Sequence, residues 1–234
     1  MNPYNPYPQP MTGDQVRADS SAFLRKVYAF MAGGLFATGV TATAVASSEL
    51  LVSLILQNRV VFYGLLIAEF VMVLAFSRVI DRLSTAAAAA YFIAYAVLNG
   101  LTLSILFMVY TASSIGSTFF VTAGTFGALS AYGYATKRDL SGVGNFAMMG
   151  LIGLIIASIV NIFLNSPMIY WLTTFVGVIV FTALTAYDTQ KLKQFAASTS
   201  PDQQSKVALQ GALMLYLDFI NLFLYLLRVL GRRR

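Results

Sequence analysis

Seven apolar runs follow one another along the chain, separated by short polar connections. A helix of about 20 apolar residues is long enough to cross a hydrocarbon core roughly 30 Å thick. The pattern therefore predicts an all-α, polytopic membrane protein with seven transmembrane helices, in a membrane domain of residues 23–234. The predicted spans are 26–47, 60–78, 86–109, 115–136, 144–165, 168–190 and 207–229.

Composition agrees with a membrane protein and removes several kinds of chemistry. Hydrophobic residues make up 58% of the chain and charged residues only 10%, whereas about 25% charged residues is usual in soluble domains. Histidine and cysteine are absent, which excludes imidazole bases, thiol nucleophiles and zinc sites built on His or Cys. We expect no enzymatic activity and no cofactor.

The distribution of Lys and Arg predicts the orientation of the chain. Residues 1–22 are rich in Pro and Tyr and are predicted to form a disordered cytoplasmic tail. Only Arg59 lies in the three connections that would face the other side. Cytoplasmic connections carry the excess of positive charge, so the N-terminus is predicted to be cytoplasmic. The ten positive residues of the tail and the alternate connections are Arg17, Arg25, Lys26, Arg78, Arg82, Lys137, Arg138, Lys191, Lys193 and Lys206.

The C-terminal sequence GRRR conflicts with this orientation. Seven crossings from a cytoplasmic N-terminus would place these arginines, together with Arg228, on the opposite side. Either the last helix does not cross completely, or the ten upstream charges outweigh the four downstream ones. The basic residues flank apolar runs, so the net charge of +6 is assigned to membrane topology and anionic lipid rather than to nucleic acid.

Acidic residues inside apolar runs are the candidate functional groups. They are Glu69, Asp188 and Asp218, and an acid at the centre of a spanning helix costs about 2.5–3.5 kcal/mol. A hairpin folded about the polar connector 197–206 would bring Asp188 and Asp218 to a similar depth. Two close carboxylates in a low dielectric titrate as a pair. The alternative is that each aspartate is satisfied separately by a backbone or hydroxyl group.

Small, polar and acidic residues lie along the predicted facing sides of the last two helices. Thr185 and Asp188 share one side of the sixth span, and Asp218, Asn221 and Tyr225 share one side of the seventh, at helical spacings. Together with Glu69, residues Thr185, Asn221 and Tyr225 are candidates for lining a pore.

Two segments carry a resemblance to a known family: AYDTQKLK (186–193) and LYLDFINLFLYLLRVLG (215–231). Together with KRDLS (137–141) they resemble the Bax inhibitor-1, or transmembrane Bax inhibitor motif, family over residues 20–234. The resemblance implies a central last helix and a pH-responsive calcium leak controlled by an aspartate pair, here Asp188 and Asp218. Because calcium prefers six to eight oxygen ligands, the two aspartates would bind it only transiently as it passes. It also implies an arginine linked to that pair, for which Arg78 is the best match and Arg82 stays open.

The resemblance further implies a bacterial inner-membrane location and, for some relatives, control of a membrane protease. A regulatory protein that binds a membrane protease or another membrane protein is therefore the alternative function. An intramembrane aspartyl protease is disfavoured, because LYLD replaces the glycine-x-glycine-aspartate pattern around Asp218. A proton-coupled transporter is also disfavoured, since no internal repeat or pair of broken helices is visible.

Overall fold

The computed structural model describes residues 13–200 and 203–234, and these ranges are almost entirely helical. A π-helical turn, Ser53–Gln57, precedes the third helix, and a 3₁₀-helical turn, Ile80–Arg82, follows it. The helices are α1 (Gly13–Ala46), α2 (Glu49–Val52), α3 (Arg59–Val79), α4 (Thr85–Leu103), α5 (Leu106–Val109), α6 (Ala112–Ala135), α7 (Ser141–Leu164), α8 (Pro167–Ser198) and α9 (Gln204–Leu230).

Polar residues between the apolar runs start and end these helices. Asn58 Oδ1 accepts hydrogen bonds from the backbone N–H groups of Val60 and Val61 at the start of α3. Serine and threonine side chains cap the first turns of α4, α6 and α8 in the same way, as is usual for N-caps. Helix α7 ends at Asn165, whose φ of 47° is the left-handed conformation that asparagine tolerates at helix ends.

Each predicted apolar run lies in helical structure, with two differences from the predicted spans. The third run, 86–109, is interrupted after Leu103 and continues as the short helix α5. Among the described residues, six helical segments are long and apolar enough to cross a membrane. Helix α6, which covers the predicted span 115–136, is not one of them because Ser, Thr and Gly dilute its apolar residues.

Helix α1 begins before the boundary predicted for the membrane domain. The first part of the predicted tail, residues 1–12, lies outside the described residues, but α1 already starts at Gly13. The described helix therefore starts inside the range 1–22 that was predicted to form the tail, and the boundary at residue 22 stays a prediction. The last proline of the tail is Pro10, so no proline interrupts the helix after it, and burial of Ser20 and Phe23 anchors this part of α1 to the bundle.

Helix α9 packs against α1, α4, α6 and α8, whereas α3 packs mainly on α4 and α7 mainly on α8. Tyr216, Leu215 and Leu222 of α9 are completely buried. Large apolar side chains such as Phe120 and Phe163 are instead exposed on the outside of the bundle, where a soluble protein would carry polar groups. This apolar outer surface is the one that a lipid environment would cover.

Candidate functional site

The hairpin of α8 and α9 brings Asp188 and Asp218 together. The two carboxyl groups are close enough to interact with each other, and their residues are only 7% and 5% exposed. Glycines allow this close approach on either side of the pair: Gly177 lies under the ring of Tyr225, and Gly211 lies against Leu192. The contacts follow the register expected of an antiparallel hairpin.

The pair has few hydrogen-bond donors. The buried Oδ2 of Asp218 accepts no hydrogen bond from a donor in the described ranges. Two ionised carboxylates offer only acceptors, so a hydrogen bond between them requires one shared proton. Lys191, one turn beyond Asp188, acts electrostatically on Asp188, and its ammonium group also lies 5.8 Å from the ring centre of Tyr187.

Arg78 and Arg82 do not contact the aspartates in this structure. Both side chains are exposed, and neither forms an ion pair with any residue in ranges 13–200 and 203–234. Arg78 lies in the last turn of α3, a helix that packs on α4 rather than on α8 or α9. The role predicted for Arg78 therefore requires a different arrangement of helices from the one described.

The other candidate pore residues are engaged in local contacts. Thr185 donates a hydrogen bond to the Phe181 carbonyl at 2.7 Å, and Asn221 donates to the Leu217 carbonyl at 2.8 Å. Tyr225 stacks on Phe181 with 5.8 Å between ring centres. Thr185 and Asn221 nevertheless lie about one helical turn from the two aspartates, so they border the pair without bonding to it.

Glu69 belongs to a separate polar network that the sequence did not predict. Its carboxylate accepts hydrogen bonds from Thr102 Oγ1 at 2.6 Å and from Asn99 Nδ2 at 3.1 Å. Tyr216 donates to Asn99 Oδ1 at 3.0 Å and lies 2.7 Å from Thr38 Oγ1. The network thus joins α1, α3, α4 and α9, and it does not include Asp188 or Asp218.

The sequence contains only a weak indication of this network around Glu69. Asn99 and Tyr216 are polar residues inside apolar runs, but a single asparagine or tyrosine is common in membrane helices. Only their meeting with Glu69 makes them notable, and that meeting depends on how four helices pack.

A resident metal site would need more ligands than the pair supplies. Within the described ranges, no group of three or more Asp, Glu, His or Cys residues could hold a metal ion. Calcium at Asp188 and Asp218 would therefore take most of its six to eight oxygen ligands from water.

Comparison with known proteins shows the family. The family described as "Inhibitor of apoptosis-promoting Bax1" matches residues 20–234, which include both aspartates and all helices from α2 to α9. The chain belongs to the Bax inhibitor-1 family. The chain is 50% identical over 223 residues to the Escherichia coli K12 inner membrane protein YbhL, and the aligned region covers 94% of this chain and 95% of YbhL.

Two other bacteria carry proteins similar to this chain. An uncharacterized protein of Borreliella burgdorferi is 44% identical over 214 residues, covering 91% of this chain and 92% of the relative. An uncharacterized protein of Rickettsia prowazekii, RP147, is 44% identical over 215 residues, covering 91% of this chain and 90% of the relative. The similarity extends along the whole helical bundle.

Proposed function

We propose that this Bax inhibitor-1 family member is a pH-sensitive leak channel for calcium, or for cations more generally, gated by Asp188 and Asp218. The observation that carries the proposal is the contact between two buried carboxyl groups on adjacent helices. Ionisable residues within membrane helices usually mark an ion or proton pathway. The proposal includes neither an enzymatic activity nor a bound cofactor.

Proton exchange at the pair provides the gate. With one shared proton, a hydrogen bond between the carboxyl groups joins α8 to α9. Loss of that proton leaves two like charges facing each other at low dielectric, and gain of a second proton removes the attraction for a cation. Since α9 also packs on α1, α4 and α6, a shift of α9 at Asp218 would alter four helix contacts at once. These contacts support a central position for α9.

In a second arrangement of the helices, the remaining candidate site residues would take the roles predicted for them. In that state Arg78, or Arg82, reaches the aspartate pair and compensates its charge, while Glu69, Thr185, Asn221 and Tyr225 line the path of a partly hydrated ion. Asp188 and Asp218 would bind calcium transiently, with water as the remaining ligands.

The proposed location is the inner membrane of a bacterium, in line with the relative YbhL, an inner membrane protein. We propose seven crossings with a cytoplasmic N-terminus, α6 being the fourth. Helix α6 has 24 residues and is therefore about 36 Å long. Helices α8 and α9 cover it on one side. This partial shielding from lipid lowers the free-energy cost of placing its polar residues in a bilayer.

Calcium flux into liposomes tests the proposal. The purified full chain is reconstituted, and flux is measured from pH 6 to 8 for the parent, Asp188→Asn and Asp218→Asn. We expect flux that varies with pH in the parent and no longer varies in either variant, because an amide cannot exchange the shared proton. Asp81→Asn is the matched control and should behave as the parent, because Asp81 is an exposed acid in the turn Ile80–Arg82 that follows α3.

Two results would contradict the leak mechanism. Unchanged flux and pH dependence in Asp218→Asn would show that the pair is not the sensor. No flux from the parent at any pH would favour the alternative, a regulatory protein that binds a membrane protease or another membrane protein.

A further inference from the structure

A polar cleft of about 650 Å³ lies between the α7–α8 turn and the C-terminal residues. It is far from the aspartate pair along α8, at the opposite end of that helix. The side chains that matter to the argument are Asn161, Tyr170, Trp171, Arg228 and Arg233, all of which line the cleft.

The C-terminal residues are held firmly enough to fix one wall of this cleft. Thr111 N–H donates to the Arg232 carbonyl at 3.1 Å, and Arg234 N–H donates to the Val109 carbonyl at 3.0 Å. The N–H of Arg232 also donates to Ser114 Oγ at 3.0 Å. These bonds form an antiparallel bridge between the C-terminal residues and the connection from α5 to α6.

Tyr170 positions two arginines at the cleft. The guanidinium carbon of Arg228 lies 5.4 Å from the centre of the Tyr170 ring and 5.1 Å from that of Tyr225. Arg233 donates from Nη2 to the Tyr170 hydroxyl at 3.2 Å. The two guanidinium groups therefore lie on the face and at the edge of one aromatic ring.

Neither arginine has an anionic partner. No carboxylate within the described ranges forms an ion pair with Arg228 or Arg233. Arg228 is only partly exposed, so water compensates its charge incompletely. Arginine presents a planar set of donors that matches the oxygens of phosphate, and two such groups around one cleft favour an anion of that kind.

The surroundings favour a phosphate carried by a lipid. Trp171 and Tyr170 lie at the end of a membrane helix, where aromatic rings are enriched at the level of lipid headgroups. Next to the cleft, Phe163, Leu164 and Met168 are 80%, 62% and 79% exposed, and they offer an apolar surface for acyl chains. A free anion would make no use of these apolar side chains.

We infer that this cleft binds the phosphate of an anionic phospholipid, with Arg228 and Arg233 as its ligands and the exposed residues of α7 and α8 against its acyl chains. A lipid phosphate at this cleft also accounts for the C-terminal arginines, whose position conflicts with the orientation predicted from the other Lys and Arg residues. They lie at the end of the bundle opposite Lys193, whose Nζ donates to the Tyr134 carbonyl at the far end of α8 and α6.

Lipid retention measured by native mass spectrometry tests the inference. The full chain is delipidated in detergent and titrated with phosphatidylglycerol or with zwitterionic phosphatidylcholine. We expect preferential binding of phosphatidylglycerol, weakened about tenfold or more by Arg228→Gln or Arg233→Gln, because each change removes a charge-assisted hydrogen bond. Arg228→Lys keeps the charge and should retain more binding than Arg228→Gln.

Arg59→Gln is the matched control, since Arg59 is an exposed arginine at the start of α3 and does not line the cleft. It should bind as the parent does. Equal retention of both lipids, or equal weakening by Arg59→Gln, would overturn the inference. In a second series, inorganic phosphate replaces the lipid. Saturable binding of phosphate that depends on Arg233, without any preference between the two lipids, would show that the cleft binds free phosphate and would overturn the assignment of a lipid.

Discussion

Tyr216 and Asp218 are two residues apart on α9 and therefore point about 200° apart around the helix. Tyr216 reaches Thr38 and Asn99 on α1 and α4, and Asp218 faces Asp188 on α8. The two buried polar sites of the bundle thus share one helix without sharing a residue. Movement of α9 that changes one site must strain or shift the other.

The hydroxyl of Tyr216 is predicted to stabilise the bundle. Tyr216→Phe leaves Asn99 Oδ1 without this donor, and a buried polar atom that loses its partner costs about 1–3 kcal/mol. We expect a lower thermal unfolding midpoint in detergent. Tyr95→Phe is the control, because Tyr95 packs against Tyr216 with 6.0 Å between ring centres and its hydroxyl forms no hydrogen bond within the described ranges. Equal effects of the two changes would contradict the prediction.

At the scale of helices, glycines mark some close contacts and not others. At Gly133 of α6, a Cβ would overlap the backbone carbonyl of Ala186 on α8, whereas at Gly127 of the same helix a Cβ would meet nothing within 4 Å. Gly127 instead borders an apolar cavity between α1 and α6. The two glycines therefore differ in function although they occupy one helix.

Gly133→Ala is predicted to push α6 away from α8. A backbone atom cannot move aside as a side chain can, so the overlap should cost about 1–3 kcal/mol, as overpacking does, or more. Gly127→Ala should leave the unfolding midpoint nearly unchanged, or raise it slightly through helix propensity. Thermal unfolding of both variants in one detergent makes the comparison, and a loss of stability in Gly127→Ala as large as in Gly133→Ala would contradict it.

At the scale of the whole molecule, the C-terminal residues reveal how the last helix crosses. Their backbone bonds to Val109 and Thr111 place them beside the connection from α5 to α6. The connection from α6 to α7 lies at the other end, where Arg138 and Leu140 bond to the Gln190 side chain. Helix α9 therefore runs from the end of the bundle that holds the connection from α6 to α7 to the end that holds the connection from α5 to α6.

Accessibility of introduced cysteines tests this arrangement, and the chain contains no native cysteine. We expect Arg234→Cys to be labelled by an impermeant maleimide from the same side of oriented vesicles as Glu49→Cys. Lys137→Cys should be labelled from the opposite side only. Labelling of Arg234→Cys together with Lys137→Cys would show that α9 does not cross completely.

The sequence predicted the helices well because each apolar run is bounded by residues that cap or break a helix, such as Asn58 and Ser166. The expectation that Asp188 and Asp218 lie at a similar depth rests on the same kind of local information, since a hairpin with a short connector fixes the register of its two helices. Both predictions depend on residues close in sequence, or on helices joined directly.

Contacts between helices distant in sequence were harder to predict. Small residues in membrane helices are typical of close helix contacts, yet a Cβ at Gly124 or Gly153 would meet no atom within 4 Å. The contact at Gly133 and the bonds from Tyr216 to Asn99 depend on the rotation of helices that no short connector constrains. The exposed position of Arg78 likewise follows from the packing of α3 on α4, which the spacing of charges does not reveal.

The position of α9 also has a consequence for biogenesis. This helix is synthesised after α1 to α8, yet it contributes contacts to α1, α4, α6 and α8. The surfaces of the earlier helices that α9 covers therefore stay incompletely packed until α9 itself has been inserted. The pairing of the C-terminal residues with Thr111 can likewise form only after α9 is in place.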